Sequence, residues 1–437
     1  MKHSVRSLFL LFLVAVLLVF AGCSSSQSGQ SEQPKGGSGE EKAEGSSTGQ
    51  TKTIEFMTIA LSPTFDDYIN GVIDAFEAKH QGVKVKWSDE PYGQIEQLVL
   101  TKASSNSLPD VINLNTLFLK KLAGLGALVN MDEAAADVKS EYFDGIWKSG
   151  NVEGASYAIP WYVSTSGLLY NTKLMEQAGI TEPPKTFKEA WKDSAIIKEK
   201  TGAYGRVLTP RMHVLMPLNG IPIVSEDATK VTLNTPEAVE YWTFLKKQYD
   251  KGLIPKGVLL GQTKVPELYA QGKVAFWSTG PQLFRQVKDL SPKVYKQSKA
   301  APALFGEANV QSASIMNLAV PTSSKNKDIA VEFAEFVTNA KNQLVFCKEA
   351  NILPSIKEAA ESDYFNKGKD STDPAVKGNY FAAQQLDSAV DTSIPDKNAS
   401  KIAEIVNKTF QRVLFQDEPV KDALASAEQK INSLLQE

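Results

Sequence analysis

Patterns typical of strands and helices alternate along most of this chain, and that alternation restricts the possible folds. Residues 54–60 have a strand pattern, Ile69 to Phe76 repeat apolar side chains at helical spacing, and residues 83–87 alternate as a second strand. Parallel neighbouring strands need such a helical crossover between them. Because further strand and helix patterns follow in alternation, the sequence predicts an α/β protein built in layers.

The stretch from residue 157 to residue 180 contains a strand, a crossing, a second strand and a helix. Ala158 and Ile159 precede an aromatic pair and a polar run, and the apolar run 167–170 suits a buried strand. Asn171 is a good N-cap for the next helix, and Gly179 is a residue that stops helices. We therefore expect the chain to pass between two strands here without a long loop.

The first 22 residues have the pattern of a signal peptide. Lys2 and Arg6 precede the short apolar run 8–20, which is followed by small residues and Cys23. The Phe-Ala-Gly-Cys ending resembles a bacterial lipobox, which implies cleavage before Cys23 and lipidation of that residue. The alternatives are an uncleaved anchor and an ordinary secreted protein. Residues 23–52 are almost entirely polar, and we expect a disordered lipoprotein tether.

Composition and motifs exclude several kinds of function. The net charge of −3 gives no electrostatic basis for binding nucleic acid. The sequence has no paired-histidine or Cys-x-x-Cys metal motif, no nucleophile elbow and no glycine-rich phosphate loop. After processing, Cys347 is the one remaining free cysteine, so we expect it to be a buried apolar residue rather than half of a disulfide. We predict no catalytic residue, no metal and no cofactor.

Several motifs together resemble a known family. Gly167 to Asn171 followed by a short helix and an Ala-Gly-Ile turn, the Pro-Asp-Val-Ile run at 109–112, and the run from Leu318 to Ser355 resemble family 1 extracellular solute-binding proteins, the maltose-binding-protein-like group. The resemblance implies a two-lobed periplasmic-binding-protein-like (type II) α/β fold with a hinge between the lobes. The boundaries it implies are 53–162 plus 314–352 for the first lobe and 166–310 plus 355–437 for the second. Contiguous domains are the alternative.

Candidate ligand contacts lie where predicted strands end. Open α/β sheets bind ligands outside the carboxyl ends of their strands. The resemblance further implies that Ser164 and Thr165 belong to a ligand-contacting crossing, and that residues 278–282 form a ligand-contacting turn in which Gln282 replaces a stacking tryptophan. An aromatic face suits the C–H face of a sugar ring, while amides and hydroxyls suit its OH groups. The predicted contacts are Leu61, Ser62, Asn115, Trp161, Tyr162, Ser164, Thr165, Trp277, Thr279 and Gln282.

The resemblance implies the binding subunit of an ABC importer. We expect a monomer, held by lipid on Cys23 at the outer face of the cytoplasmic membrane of a Gram-positive cell. We also expect it to close its lobes on a sugar or oligosaccharide and to present that ligand to membrane permease subunits, without nucleic acid as a partner. Two alternatives stay open from the sequence: a binding subunit for a non-sugar solute, and a surface carbohydrate-active enzyme.

Overall fold

The computed structural model describes residues 51–396 and 398–436, and the side chain of Glu96 is left out of the description. The predicted signal peptide, Cys23 and nearly all of the predicted tether lie outside the described residues. All of the described residues belong to one unit by their contacts. Lys52, which we placed in the tether, already begins the first strand.

The strands of the described residues are short, and most lie in two sheets. Their bounds are β1 Lys52–Ile59, β2 Val83–Glu90, β3 Val111–Asn115, β4 Asn151–Val152, β5 Ala155–Ser156, β6 Ile159–Ser164, β7 Gly167–Asn171, β8 Tyr204–Arg206, β9 Val274–Thr279, β10 Ser298–Ala301, β11 Gln311–Ala319, β12 Leu353–Pro354 and β13 Ala389–Asp391.

The helices fill the intervals between those strands and form the whole of the C-terminal part. Their bounds are α1 Asp66–Lys79, α2 Ile95–Ser104, α3 Thr116–Gly124, α4 Met131–Ala134, α5 Asp144–Trp147, α6 Thr172–Ala178, α7 Phe187–Thr201, α8 Met212–Leu218, α9 Pro236–Asp250, α10 Lys256–Leu259, α11 Val265–Ala270, α12 Phe284–Leu290, α13 Pro292–Lys296, α14 Lys327–Thr338, α15 Ala340–Ala350, α16 Lys357–Ala360, α17 Asp363–Asn366, α18 Pro374–Gln384, α19 Ala399–Phe415 and α20 Val420–Leu435.

The first sheet has the order β12-β6-β11-β3-β1-β2, with β13 added beside β11. β1 pairs in parallel with β2 and β3, whereas β11 runs antiparallel to β3 and β6. One face packs on a cluster around Phe56, Phe76 and Phe333, and the other on a cluster around Ile112 and Leu119. Both faces are therefore covered, in agreement with the burial of four consecutive residues of β3, Val111 to Leu114.

The second sheet is smaller and has the order β10-β7-β9-β8. β7 lies in its middle, antiparallel to both neighbours, and β8 pairs in parallel with β9. Leu168 packs on one face with Phe187 and Phe276, and Leu169 packs on the other with Tyr269. The α/β prediction is confirmed by these two layered sheets.

A separate helical core lies beyond the second sheet. α8, α9, α19 and α20 pack together around Trp242, Phe410 and Ile431, all of which are buried. The last two helices are amphipathic, and their apolar residues, including Ile402 and Leu424, lie in this core.

The chain passes between the two sheets more than once. It goes from β6 to β7 through Thr165 and Ser166, and it returns from β10 to β11 through residues 302–310. The segment from β12 to β13 contacts both sheets, because α18 packs on β7 and β10 while Ala382 and Leu386 share a cluster with Val163. The two-lobe boundaries given above stay a prediction.

Local sequence signals account for many of the helix ends. Asn171 Oδ1 accepts from the Leu174 N–H, and Gly179 adopts φ +74° at the end of α6. Thr186 and Glu189 form a capping box at the start of α7. Phe65 is the N-cap of α1, and no side chain caps that helix. Within the described residues, no helix combines the length and apolarity needed to cross a membrane.

Candidate functional site

Two adjoining cavities separate the first sheet from the second sheet and its helices. One has a volume of about 360 Å³ and is lined by Asn115 on one side and by His213 and Ala403 on the other. The second has a volume of about 280 Å³ and contacts Ser164 as well as Trp277. Both are lined by Arg211, Val214, Ser312 and Ser314, so together they form one cleft, which we call the inter-sheet cleft.

Asn115 lines this cleft at the end of β3. Its Oδ1 accepts from the Phe118 N–H at 2.9 Å and so caps α3, while its Nδ2 donates to the Tyr92 hydroxyl at 3.1 Å. The side chain of Tyr92 is 58% exposed, which leaves an aromatic face available at the cleft. The sequence argument missed Tyr92, although the rule that selected Asn115 also points to the residues just after β2.

Five further predicted residues meet in the smaller cavity: Ser164, Thr165, Trp277, Thr279 and Gln282. Gln282 Nε2 donates to Ser164 Oγ at 3.1 Å, which joins the end of β6 to the turn after β9. The Thr165 hydroxyl is buried and has no hydrogen-bond partner among the described residues. The predicted crossing and the predicted turn therefore lie side by side.

The predicted aromatic pair does not reach the cleft. Trp161 is fully buried and stacks on Phe346, with ring centroids 5.1 Å apart. Tyr162 contacts the same Phe346 edge-on at 5.2 Å, and burial raises the pKa of its hydroxyl. Neither residue lines the cavities described above. The physical reason is that β6 lies inside the first sheet, so its large side chains complete the core.

Leu61 and Ser62 also lie away from the cleft. Their backbone N–H groups donate to the Asp89 carboxylate at 3.0 to 3.1 Å, and the Leu61 side chain is buried in the core of the first sheet. Thr58 Oγ1 donates to the same carboxylate. The turn after β1 is therefore held by Asp89 and does not line the two cavities.

Two arginines line the smaller cavity, and the sequence argument did not single out either. Arg206 lies on the three-residue strand β8, where its backbone N–H donates to Ser194 Oγ at 2.8 Å. Its guanidinium lies 4.0 Å from the ring centre of Phe187. Burial lowers the pKa of Arg206 to about 10. Arg211 is exposed and lines both parts of the cleft.

A third cavity, with a volume of about 860 Å³, adjoins the cleft through His213 and residues 391–394. Lys120 Nζ donates there to Asp391 Oδ2 at 2.7 Å and to Ser393 Oγ at 3.3 Å, and both charged side chains are nearly buried. Burial, together with the positive charge of Arg211, lowers the pKa of His213. The ion pair fixes the position where the chain leaves β13.

The described residues contain no cluster of three or more His, Cys, Asp or Glu side chains that could hold a metal. Among the described residues that line the smaller cavity, none is acidic. The cleft thus offers hydroxyls, amides, cations, aromatic faces and, in its larger part, the Asp391 carboxylate, which are groups that bind a solute.

Comparison with known proteins agrees with this geometry. Residues 71–378 match the family described as bacterial extracellular solute-binding protein. The chain belongs to that family. A protein of Brucella abortus (strain 2308) described as a binding protein is 28% identical over 391 residues, which are 85% of this chain and 92% of that protein.

A second relative of this solute-binding protein is the diacetylchitobiose binding protein DasA of Streptomyces coelicolor, which is 26% identical over 72% of this chain and 75% of its own length. Among solved structures, one described as an oligosaccharide periplasmic-binding protein from Synechococcus sp. MITs9220 superposes with a TM-score of 0.77 at 26% identity, covering 88% of this chain and 99% of that one. The predicted two-lobed periplasmic-binding-protein-like fold is confirmed.

Proposed function

We propose that this protein is the substrate-binding subunit of an ABC importer and that its ligand is a sugar or oligosaccharide. The observation that carries the proposal is the inter-sheet cleft, to which both sheets contribute hydroxyl, amide and aromatic side chains. Such groups match a sugar, since its OH groups need hydrogen-bond partners and its C–H face suits an aromatic ring. The names of DasA and of the Synechococcus protein support the same class of ligand.

Closure of the two lobes is the proposed mechanism. A ligand in the cleft contacts residues on both sides only when the sides are close, so its higher affinity for that state shifts the population. The short connection from β6 to β7 and the return from β10 to β11 are the segments that would carry the hinge. The closed form then presents both lobes to the permease subunits, and no bond in the ligand is made or broken.

The remaining parts of the proposal concern location, oligomeric state and the absence of enzymatic activity. We place the protein outside the cell, at the outer face of the cytoplasmic membrane of a Gram-positive cell, where lipid on Cys23 holds it. We further propose that it acts as a monomer and is not an enzyme. The family match and the relatives named for binding support the extracellular and non-enzymatic parts. Mass spectrometry of the protein from membranes would test the lipid on Cys23.

Thermal-shift screening followed by calorimetry tests the ligand class. The panel contains neutral and acidic mono- and oligosaccharides, amino acids and metal chelates, each added to the purified protein. We expect at least one saccharide to raise the melting temperature and to bind with a stoichiometry of one, because a ligand that binds the folded state stabilises it. Stabilisation by amino acids or chelates without a response to any saccharide would contradict the proposal.

A further inference from the structure

The smaller cavity of the inter-sheet cleft has an unusual balance of charge. Its lining includes two arginines, Arg206 and Arg211, and no acidic residue among the described ones. The remaining polar groups are mainly hydroxyls, including those of Thr165 and Thr279, and amides such as that of Gln282. A ligand that enters this cavity therefore meets the positive charge of the two arginines, because the lining contains no carboxylate that would neutralise it.

Arg206 is the more informative of the two arginines because its side chain is buried. Only 5% of the residue is exposed, and the guanidinium carbon lies 4.0 Å from the ring centre of Phe187 and 5.4 Å from that of Trp191. Nη1 has no hydrogen-bond partner among the described residues. Arginine stays protonated at neutral pH, so a positive charge and an unused donor are both held out of water. Such a group is costly unless an anion or an acceptor satisfies it.

Two further observations favour a binding site, beside that guanidinium, for a group that accepts hydrogen bonds. Arg211 is exposed toward the cleft, and the ion pairs found among the described residues include neither arginine. The Thr165 hydroxyl in the same cavity is buried and also lacks a partner in the described part of the chain. A bound anion would accept from these unused donors.

We propose that the ligand is an acidic saccharide and that its carboxylate, as in a uronic acid ring, binds in the smaller cavity against Arg206 and Arg211. This inference rests on the proposed function, because it names the class of sugar for the same cleft. A planar carboxylate fits the fork of guanidinium donors, and hydrogen bonds between charged partners are stronger than neutral ones. The adjoining cavity, with Tyr92 and Asn115, would take the next ring.

Calorimetry on matched ligands tests the proposal. The ligands are a 4-linked digalacturonate, its methyl ester and the neutral 4-linked galactobiose, which share a backbone and differ at C6. We expect the free acid to bind about 10- to 100-fold more tightly than either neutral form, the range that a charge-assisted contact supplies. The difference should shrink as salt is raised, to the extent that the exposed Arg211 contributes.

Variants assign the effect to the two arginines. Arg211→Gln changes an exposed residue, so it should fold normally and lose about tenfold in affinity for the acid, with a smaller loss for the neutral disaccharide, which has no charge to pair with the guanidinium. Arg206→Gln should do the same with a larger loss, and circular dichroism checks that it folds. Arg285→Gln is the matched control, because Arg285 is exposed on α12 and does not line the cleft.

Each alternative outcome has a definite meaning. Equal or tighter binding of the neutral disaccharide overturns the acidic-ligand inference and leaves the proposed sugar-binding function intact. Failure of every saccharide to bind contradicts the proposed function itself. A hexose 6-phosphate is tested in the same series. If it binds more tightly than any uronate, the proposal that the cavity binds a carboxylate is wrong, and the cavity binds a phosphate group instead.

Discussion

At the scale of single residues, burial decides which aromatic side chains can contact a ligand. Trp161 lies within β6 and Tyr92 follows β2, both strands of the first sheet, yet Trp161 is fully buried and Tyr92 is 58% exposed. Sequence alone could not separate them, because an aromatic residue in or beside a strand can lie in the core or at an edge when the sheet is covered on both faces.

This contrast gives a paired prediction. Trp161→Ala should lower the free energy of unfolding by about 3–5 kcal/mol, because it empties a site packed against Phe346 and Phe56. Tyr92→Ala should change it by only about 0.5 kcal/mol, the usual range for surface positions, and should weaken saccharide binding roughly 2- to 12-fold through lost stacking. Urea unfolding and calorimetry measure the two effects. Unchanged binding in Tyr92→Ala would remove Tyr92 from the proposed site.

His213 leads to a prediction about pH. Burial and the charge of Arg211 lower its pKa in the folded state, and the ring is further held by Asn407, whose Nδ2 lies 3.1 Å from Nδ1. The unfolded state therefore binds the proton more readily, so this residue's contribution to stability is complete above about pH 6.5 and is lost as the pH falls toward the folded pKa.

We expect His213→Gln to lose less stability than the parent between pH 7.5 and pH 5.5, as measured by urea unfolding at each pH. Arg211→Gln is the matched comparison, because removing that charge raises the pKa of His213 toward its ordinary value and should reduce the same pH-dependent loss in part. Identical pH dependence in all three proteins would mean that His213 does not titrate differently in the two states.

At the scale of elements, helix ends and buried strands were predictable from local chemistry. The Thr186–Glu189 capping box and the left-handed Gly179 follow from residue types at fixed offsets, and β7 follows from its apolar run. Asp110 of the Pro-Asp-Val-Ile run accepts from the Glu55 N–H and from Ser324 Oγ, and so joins β1 to the segment after β11.

Other elements carried too little signal. β8 is three residues long, so alternation could not reveal it, and Arg206 was not recognised as a residue of the site. Leu61 and Ser62 follow a strand as the edge rule requires, but the Asp89 carboxylate binds their N–H groups and holds the turn away from the two cavities. Such a contact joins residues 27 or 28 positions apart, and no local pattern predicts it.

At the scale of the whole molecule, the position of the passage from β13 into the helical core depends on a contact that is distant in sequence. β13 lies beside β11 in the first sheet, and the chain then enters the helical core at Ile394 and Ala399. Lys120 on α3 pairs with Asp391 at the end of β13, 271 residues later. The ion pair thus lies at a junction through which relative motion of the two halves would pass.

The last prediction concerns this ion pair. Asp391→Ala should lower the free energy of unfolding by about 3–5 kcal/mol, because Lys120 would keep its charge in a site where the side chain is only 11% exposed. Lys120→Met combined with Asp391→Leu should cost less than Asp391→Ala alone, since no unpaired charge remains. Urea unfolding of the parent and the variants measures the coupling. If the double variant is less stable than Asp391→Ala, the ion pair contributes more than the cancellation of two buried charges. The hydrogen bonds that Ser393 makes with both Lys120 and Asp391 would then account for the additional stability.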